Sequence, residues 1–398
     1  MRSFKSRFFS ENNKIKAGEQ SSVNPVEYFW HRDEVLYCSK VELLVDDWAY
    51  VSMLDAIGGA KENIFMESYI FNDDKAGKIF SDALIFAAKR GVDIYLIIDG
   101  LGTMNVRGTF FEKLKHAGIN LHVYHPVAPF KKGFNLFKRN HRKLLVVDGC
   151  IAFAGGHNIG DEWLAKEWGG KGWHDIHCRI EGDAVKNVLF IMMRLWEKKK
   201  GTRFNLKTGC NSSDKCQIPV KVITSKNIRS IRGIRKSYLY AIKKATSYIY
   251  IANAYFIPGL LVRRALIKAV KRGVDVKIMV PAHGDVWPVH MAGAATYGRL
   301  LDKGVRIFEW KNTVLHAKSA VIDDVWATVG SYNLDNRSYK LNLEVNFNIA
   351  DKAFCEKLRT VFTTDLSNCG EIDFVAWKNR PLILKITERF FYLFRKLM

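Results

Sequence analysis

NHRKLLVVDGCIAFAGGHN at residues 140–158 and LHAKSAVIDDVWATVGSYN at residues 315–333 are two versions of one pattern, offset by 175 residues along their whole length. Each contains His-x-Lys-x4-Asp and ends in a small-residue turn that carries an amide, Gly155-Gly156-His157-Asn158 and Gly330-Ser331-Tyr332-Asn333. Upstream, two more pairs match in the same order. KRGVDIYLIID (89–99) is echoed by KRGVDVKIMVP (271–281), and HAGINLHVYHP (116–126) by DKGVRIFEW (302–310). Each reads as a helix end, a glycine and a buried strand. Matched segments in a shared order imply a duplicated α/β unit of about 150 residues. Any βα protein can repeat a phrase such as KRGVD; shared polar residues need a common ancestor. Strand-like runs alternate with amphipathic helical ones, which predicts a mixed or mostly parallel sheet with helices on its faces in each half.

From this core the boundaries follow. Residues 1–25 form a basic segment, 26–200 the first lobe and 217–378 the second. The polar, aperiodic stretch 201–216 reads as the linker. Residues 379–398 form an amphipathic basic helix.

The chain of 398 residues is 48% hydrophobic and 13% aromatic, enough for a sizeable core. Its 62 basic against 40 acidic residues leave a net charge of +22, far beyond what solubility needs, and point to a polyanionic partner. The 7 cysteines are odd in number and none lies in a C-x-x-C pair, so reduced thiols are expected, with neither a disulfide framework nor a zinc site. No apolar run reaches the roughly 18 to 20 residues of a spanning helix, and the N-terminal segment lacks a signal-peptide apolar region. Membrane contact is therefore expected to be peripheral.

In a regular strand His141 and Lys143 project together while Asp148 points to the other face, and His316, Lys318 and Asp323 repeat the geometry. All six are candidate catalytic-motif residues. Each His and Lys can share a ligand, with the Asp serving structure or orientation. Phosphodiester cleavage by a covalent route needs a nucleophile, an acid for the departing oxygen and cations around the phosphoryl oxygens, and two facing His-Lys pairs supply these. A lysine two residues from each histidine disfavours a metal, because an ammonium repels one, and no cofactor is implied. The turns ending at Asn158 and Asn333, with Ser331, offer donors to an anion. Further on, Asp175 and Glu344 are acids able to accept from a histidine Nδ1 and set its tautomer.

HRKLLVVDGCIAFAGGHNIGDEW and HAKSAVIDDVWATVGSYNLDNRSYKLNLEVN, with MESYIFNDD (66–74), NAYFIPG (253–259) and LSNCGEIDFVAWKNR (366–380), resemble the phospholipase D superfamily and, within it, the bacterial cardiolipin synthases. The likeness covers roughly residues 26–378. It implies a duplicated α/β/α sandwich of two lobes with one active site at their interface, a phosphohistidine intermediate and no metal. It implies His141 as nucleophile and His316 as general acid. Lys143, Lys318, Asn158 and Asn333 would hold the phosphate, Ser331 would assist, and Asp175 and Glu344 would orient the histidines. The chain resembles the shorter, peripheral type without paired transmembrane helices ahead of the first motif.

Superfamily members include nucleases, so the distribution of charge matters. On a helix, residues 382–398 place Leu382, Ile383, Leu384, Ile386, Phe390, Phe391, Leu393, Phe394, Leu397 and Met398 on one arc and Lys385, Glu388, Arg389, Arg395 and Lys396 on the other. That pattern suits a helix lying in a membrane interface, or one docked on the protein's own core. A second patch, PFKKGFNLFKRNHRK (129–143), interleaves Phe130, Phe134 and Phe137 with basic residues before His141. It fits an anionic lipid headgroup or single-stranded nucleic acid. The C-terminal helix favours lipid. The expectation is a phosphatidyltransferase using phosphatidylglycerol at an anionic phospholipid membrane, on the cytoplasmic face of a bacterial cell, with no specific nucleic acid partner. A hydrolase, a nuclease and a silent membrane adaptor are the rival readings.

Overall fold

The structure, a computed structural model, describes residues 25–29, 35–128, 133–201, 204, 217–225 and 232–398. The first lobe runs β1 (Leu36–Val45), α1 (Trp48–Gly59), β2 (Asn63–Ser68), α2 (Lys75–Lys89), β3 (Asp93–Asp99), α3 (Gly108–His116), β4 (Asn120–Tyr124), β5 (Leu144–Val147), β6 (Ile151–Gly155), β7 (Ile176–Gly182) and α4 (Ala184–Lys200). The second runs β8 (Ile218–Thr224), α5 (Gly233–Lys244), β9 (Tyr248–Asn253), α6 (Leu260–Lys271), β10 (Asp275–Pro281), α7 (Trp287–Ala294), α8 (Tyr297–Leu301), β11 (Arg306–Trp310), β12 (Lys318–Ile322), β13 (Trp326–Gly330), α9 (Asn336–Lys340), β14 (Val345–Ile349) and α10 (Lys352–Asp365). β15 (Cys369–Glu371), α11 (Phe374–Asn379) and α12 (Leu382–Leu393) follow.

All strands join one 15-stranded sheet. Outward from the β1–β8 junction the order is β1-β7-β6-β5-β2-β3-β4 on one side and β8-β14-β13-β12-β9-β10-β11-β15 on the other. The two halves thus repeat the same order, as the duplicated sequence requires. Parallel pairing joins β2, β3 and β4, and again β9, β10 and β11. The four strands nearest the junction in each half run antiparallel to their neighbours. The sheet is mixed, not mostly parallel, because short hairpins carry each motif region and only βα crossovers give parallel pairs.

Both faces are covered. Along β5, Leu144 and Val146 enter a core beneath α4 and α10 that spans both lobes, while Leu145 and Val147 enter the first lobe's own core under α1, α2 and α3. Period-two alternation with apolar residues on both sides is the signature of a strand buried between two helical layers. The shared core makes the lobes one body. The second lobe's outer core lies under α5, α6 and α8 and includes Tyr28 and Phe29.

That last contact corrects the domain boundary: residues 26–29, expected in the first lobe, pack in the second, where the Tyr28 hydroxyl donates to Asp323 Oδ2 at 3.0 Å. The basic segment 1–24 and most of the linker 201–216 lie outside the described residues. A further correction concerns cysteine. Cys38, Cys178, Cys355 and Cys369 are free thiols, but Cys150 is disulfide-bonded. Pairing depends on proximity in space, which counting and spacing do not register.

Candidate active site

β5 begins at Leu144 and β12 at Lys318, so the His-x-Lys residues enter their strands instead of lying inside them. The opposite lobe holds these extended segments. His141 N–H donates to Leu343 O at 3.0 Å and Leu343 N–H to Arg139 O at 2.9 Å. In the mirrored place, His174 N–H donates to Val314 O at 2.9 Å and His316 N–H to His174 O at 2.7 Å. Leu343 and His174 immediately precede Glu344 and Asp175. Each acid is thereby delivered to the histidine of the other lobe.

Glu344 Oε2 lies 3.0 Å from His141 Nδ1, and Asp175 Oδ2 lies 2.6 Å from His316 Nδ1. A carboxylate only accepts, so each Nδ1 carries the proton and each Nε2 presents its lone pair. All four groups are buried. Burial pushes both imidazoles down to about 4, against the pull of their carboxylates. Burial raises the Asp175 and Glu344 carboxyls, but the neighbouring imidazoles and lysines outweigh it and hold both below the usual carboxylate range.

The two carboxylates are held differently. Glu344 accepts from Ser331 Oγ at 2.5 Å, Ser338 Oγ at 2.8 Å and Asn342 Nδ2 at 3.2 Å. Asp175 accepts from Trp163 Nε1 at 2.9 Å and from the Ile176 N–H at 2.8 Å. Gly156 occupies the place that Ser331 holds in the other half, and a Cβ there would stand 2.1 Å from Asp175 Oδ1. The shorter acid packs on a glycine, and the longer one takes a serine hydroxyl. Ser331, expected to assist at the phosphate, instead donates to Glu344 and accepts from the Val345 N–H at 3.1 Å, so it orients the acid.

Lys143 Nζ donates to His141 O at 2.8 Å, and Lys318 Nζ donates to His316 O. Burial lowers both ammoniums, Lys318 to about 8. Asn158 Oδ1 accepts from the Ile70 N–H at 3.2 Å, while Asn333 Oδ1 is buried with no hydrogen-bonding partner among the described residues. The charges of Lys143 and Lys318 both reach His141, and that of Lys318 reaches His316, in each case lowering the imidazole's proton affinity. Among the described residues no group of three or more His, Cys, Asp or Glu is placed to hold a metal ion.

Asp148 and Asp323 do not belong to this constellation. Each sits in the tight turn at the far end of its strand, with φ of 52° and 55°. Asp148 accepts the backbone N–H groups of Lys61, Glu62 and Asn63 at 2.8–3.0 Å. Asp323 accepts those of Thr246, Ser247 and Tyr248 at 2.7–2.9 Å. Both tie the start of the neighbouring strand to the motif hairpin. Asp tolerates the left-handed conformation that such a turn requires, which is the physical reason the motif ends in this residue.

The basic patch at residues 129–143 also needs correction. Arg139 is buried against Asp99 at 3.3 Å and Arg142 against Glu67 at 2.9 Å, so neither faces a ligand. Phe134 and Phe137 remain exposed, and Phe130 lies outside the described residues.

Several neighbours had no signal of their own in the sequence. Tyr69 packs its ring 5.0 Å from His141 and Trp163 packs 5.1 Å from His316. His174 joins the lobes: Nδ1 lies 2.9 Å from Asp46 Oδ1 and Nε2 3.0 Å from Asp365 Oδ2. Burial opposes its charge, but the two carboxylates prevail and push the imidazole up to about 10. Its place beside Asp175 was visible; its partners, far away in sequence, were not.

Three comparisons with known proteins bear on this geometry. The family model described as "Cardiolipin synthase, PLD-like domain" matches residues 53–168 and 238–366. The major cardiolipin synthase of Bacillus subtilis (strain 168) is 34% identical over 84% of this chain and 70% of its own length. The cardiolipin synthase of Alkalihalophilus pseudofirmus is 31% identical over 95% of this chain and 76% of its own. Among solved structures, the phosphatidylserine synthase of Haemophilus influenzae superposes with a TM-score of 0.70 at 12% identity, covering 92% of this chain and 97% of the other, a likeness of fold.

Proposed function

This chain belongs to the cardiolipin synthase, phospholipase D-like domain family, and from that premise we propose that its crossed histidines pass a phosphatidyl group from phosphatidylglycerol to a second phospholipid headgroup. It is a phospholipid phosphatidyltransferase of this type. In the first half-reaction His141 Nε2 attacks phosphorus, the bond to the headgroup glycerol breaks, and His316 gives its Nε2 proton to the departing oxygen. In the second, a hydroxyl of the acceptor attacks the phosphohistidine, its proton returns to His316, and the P–N bond breaks.

The observation that carries the assignment of roles is the unequal pairing of the two histidines. Asp175 approaches His316 to 2.6 Å, Glu344 approaches His141 to 3.0 Å, and Ser331, Ser338 and Asn342 take up much of the Glu344 charge. A closer, less engaged carboxylate favours the imidazolium, the form an acid needs. Both histidines are neutral in the free enzyme. A bound phosphodiester is an anion beside them and raises their proton affinity, which lets His316 enter the cycle protonated. Lys143, Lys318, Asn158 and Asn333 neutralise and bond the phosphoryl oxygens.

No helix among the described residues is long and apolar enough to cross a membrane. α12 supplies a peripheral contact. Its charged Glu388 faces inward to Arg380, at 3.1 Å, and Phe391 packs on Trp287 with ring centroids 5.1 Å apart. Leu382, Ile383, Ile386, Phe390 and Leu393 are more than half exposed. An exterior this apolar supports burial in the headgroup layer of a membrane, and the chain's net charge of +22 favours an anionic leaflet.

The test is to offer the purified protein vesicles of labelled phosphatidylglycerol and to identify products. Cardiolipin and free glycerol are expected. Phosphatidic acid as the sole lipid product would establish hydrolysis instead, and cleavage of nucleic acid without lipid turnover would overturn the reading.

A further inference from the structure

The scheme above leaves one carboxylate at the rim of the site without a role. β9 ends at Asn253, whose ladder partner is Lys318. Two residues further on, the Tyr255 hydroxyl reaches the Asp285 carboxylate, 2.8 Å from Oδ1 and 2.7 Å from Oδ2. Asp285 follows β10, the parallel neighbour of β9, so both loops leave the sheet at the edge where Lys318 begins β12. The charge of Asp285 is felt there, raising the proton affinity of His316 and Lys318. Tyr255 is partly buried and Asp285 is exposed. The corresponding positions beyond β2 and β3 are Ile70 and Thr103; besides Asp175, the first-lobe acid whose charge reaches Lys143 is Asp99, which is buried and already bound to Arg139.

A carboxylate repels a phosphodiester and cannot belong to the cradle around phosphorus. It accepts hydrogen bonds, and it stands on the His316 side, where the proton is given to the leaving oxygen and taken from the incoming one. The groups that pass through that side are headgroups. We infer that Asp285, steadied by Tyr255, is a headgroup subsite that accepts a hydrogen bond from the non-reacting hydroxyl of a polyol: the departing glycerol first, the acceptor's glycerol second. An ammonium headgroup would also be drawn to a carboxylate, but Lys318 lies close by and repels a second cation. A neutral diol meets no such penalty. The inference rests on the reading of His316 as the acid–base side of a phosphatidyl transfer.

The experiment uses the full chain with detergent-dispersed phosphatidylglycerol and labelled glycerol or labelled 1-propanol as acceptor. 1-Propanol offers a reacting hydroxyl but no second one. Wild type is expected to incorporate glycerol in preference to 1-propanol. In D285A the KM for glycerol rises about tenfold relative to that for 1-propanol, the size expected for loss of a hydrogen bond to a charged group, and any change common to both alcohols reports the weaker field at His316 and Lys318. Y255F falls between, and D285N controls for shape. A glycerol preference that survives in both D285A and D285N overturns the subsite, as does equal loss with both alcohols. Preferential loss of labelled ethanolamine in place of glycerol overturns the diol assignment. If wild type transfers to no alcohol and yields only phosphatidic acid, the phosphatidyltransferase reading itself fails and the subsite falls with it.

Discussion

Glu344 Oε2 lies 3.0 Å from Nδ1 of His141 although 203 residues separate them in the chain, and Asp175 answers with the reciprocal contact to His316 across 141 residues. Neither lobe contains a complete histidine–carboxylate pair. The two histidine–carboxylate pairs are complete only in the duplicate, because each copy brings its acid to the other copy's histidine.

Removing either orienting charge should disable turnover without unfolding the protein. E344Q and D175N are expected to lower kcat roughly 10²-fold or more, since a misplaced tautomer withholds the Nε2 lone pair or proton. Activity within a few-fold of wild type in both variants, with unchanged melting, would show that the crossed contacts are not used.

The two histidines should differ in what they leave on the protein. H141A and H316A both lose turnover, but acid-labile label from phosphatidyl-labelled donor accumulates only in H316A, where the nucleophile survives. Label trapped in H141A would reverse the roles.

Lys318 supplies a pH dependence. Its ammonium, lowered by burial to about 8, is charged below that pH and neutral above it. Raising the pH through about 8 therefore removes a cation from the phosphate site, and KM for the donor should rise. In K318R, where the guanidinium stays charged, that alkaline rise should vanish even if kcat falls. A rise of the same size in K318R would assign it to another group.

Asp148 and Asp323 are expected to matter for stability. Each binds three backbone N–H groups at the start of a neighbouring strand. D148A and D323A should each cost about 1–3 kcal/mol in denaturant melts, while the folded fraction keeps near-normal kcat. Loss of kcat at full stability would return them to the catalytic group.

For α12, point substitution is cleaner than truncation, because Arg395 O and Met398 O accept hydrogen bonds from Asn336 and Arg337 of α9. I383E, I386E and L393E alter exposed apolar side chains only. Sedimentation with phosphatidylglycerol vesicles should weaken, while melting temperature and turnover of detergent-dispersed substrate hold. Unchanged vesicle binding in the triple variant would place the membrane contact elsewhere.

The duplication, the strand identities and the His-x-Lys pairs were legible in the sequence alone, because a repeat with shared polar residues and β5's run Leu144–Val147 are local patterns of spacing and burial. Asp175 and Glu344 could also be named there as acids able to fix a tautomer. Which histidine each would serve could not, since that depends on the backbone of Leu343 pairing with 139–141 and that of His174 with 314–316 across the lobes. The same holds for Asp148 and Asp323, whose backbone partners lie 85 to 87 and 75 to 77 residues away. Arg139 and Arg142 looked like a ligand patch and turned out to be buried against Asp99 and Glu67. Local periodicity tells which face of an element is apolar, but a charge finds its counter-charge only when distant segments close on one another. That closure, brought about by one sheet and one core shared between two lobes, decided how the site is assembled.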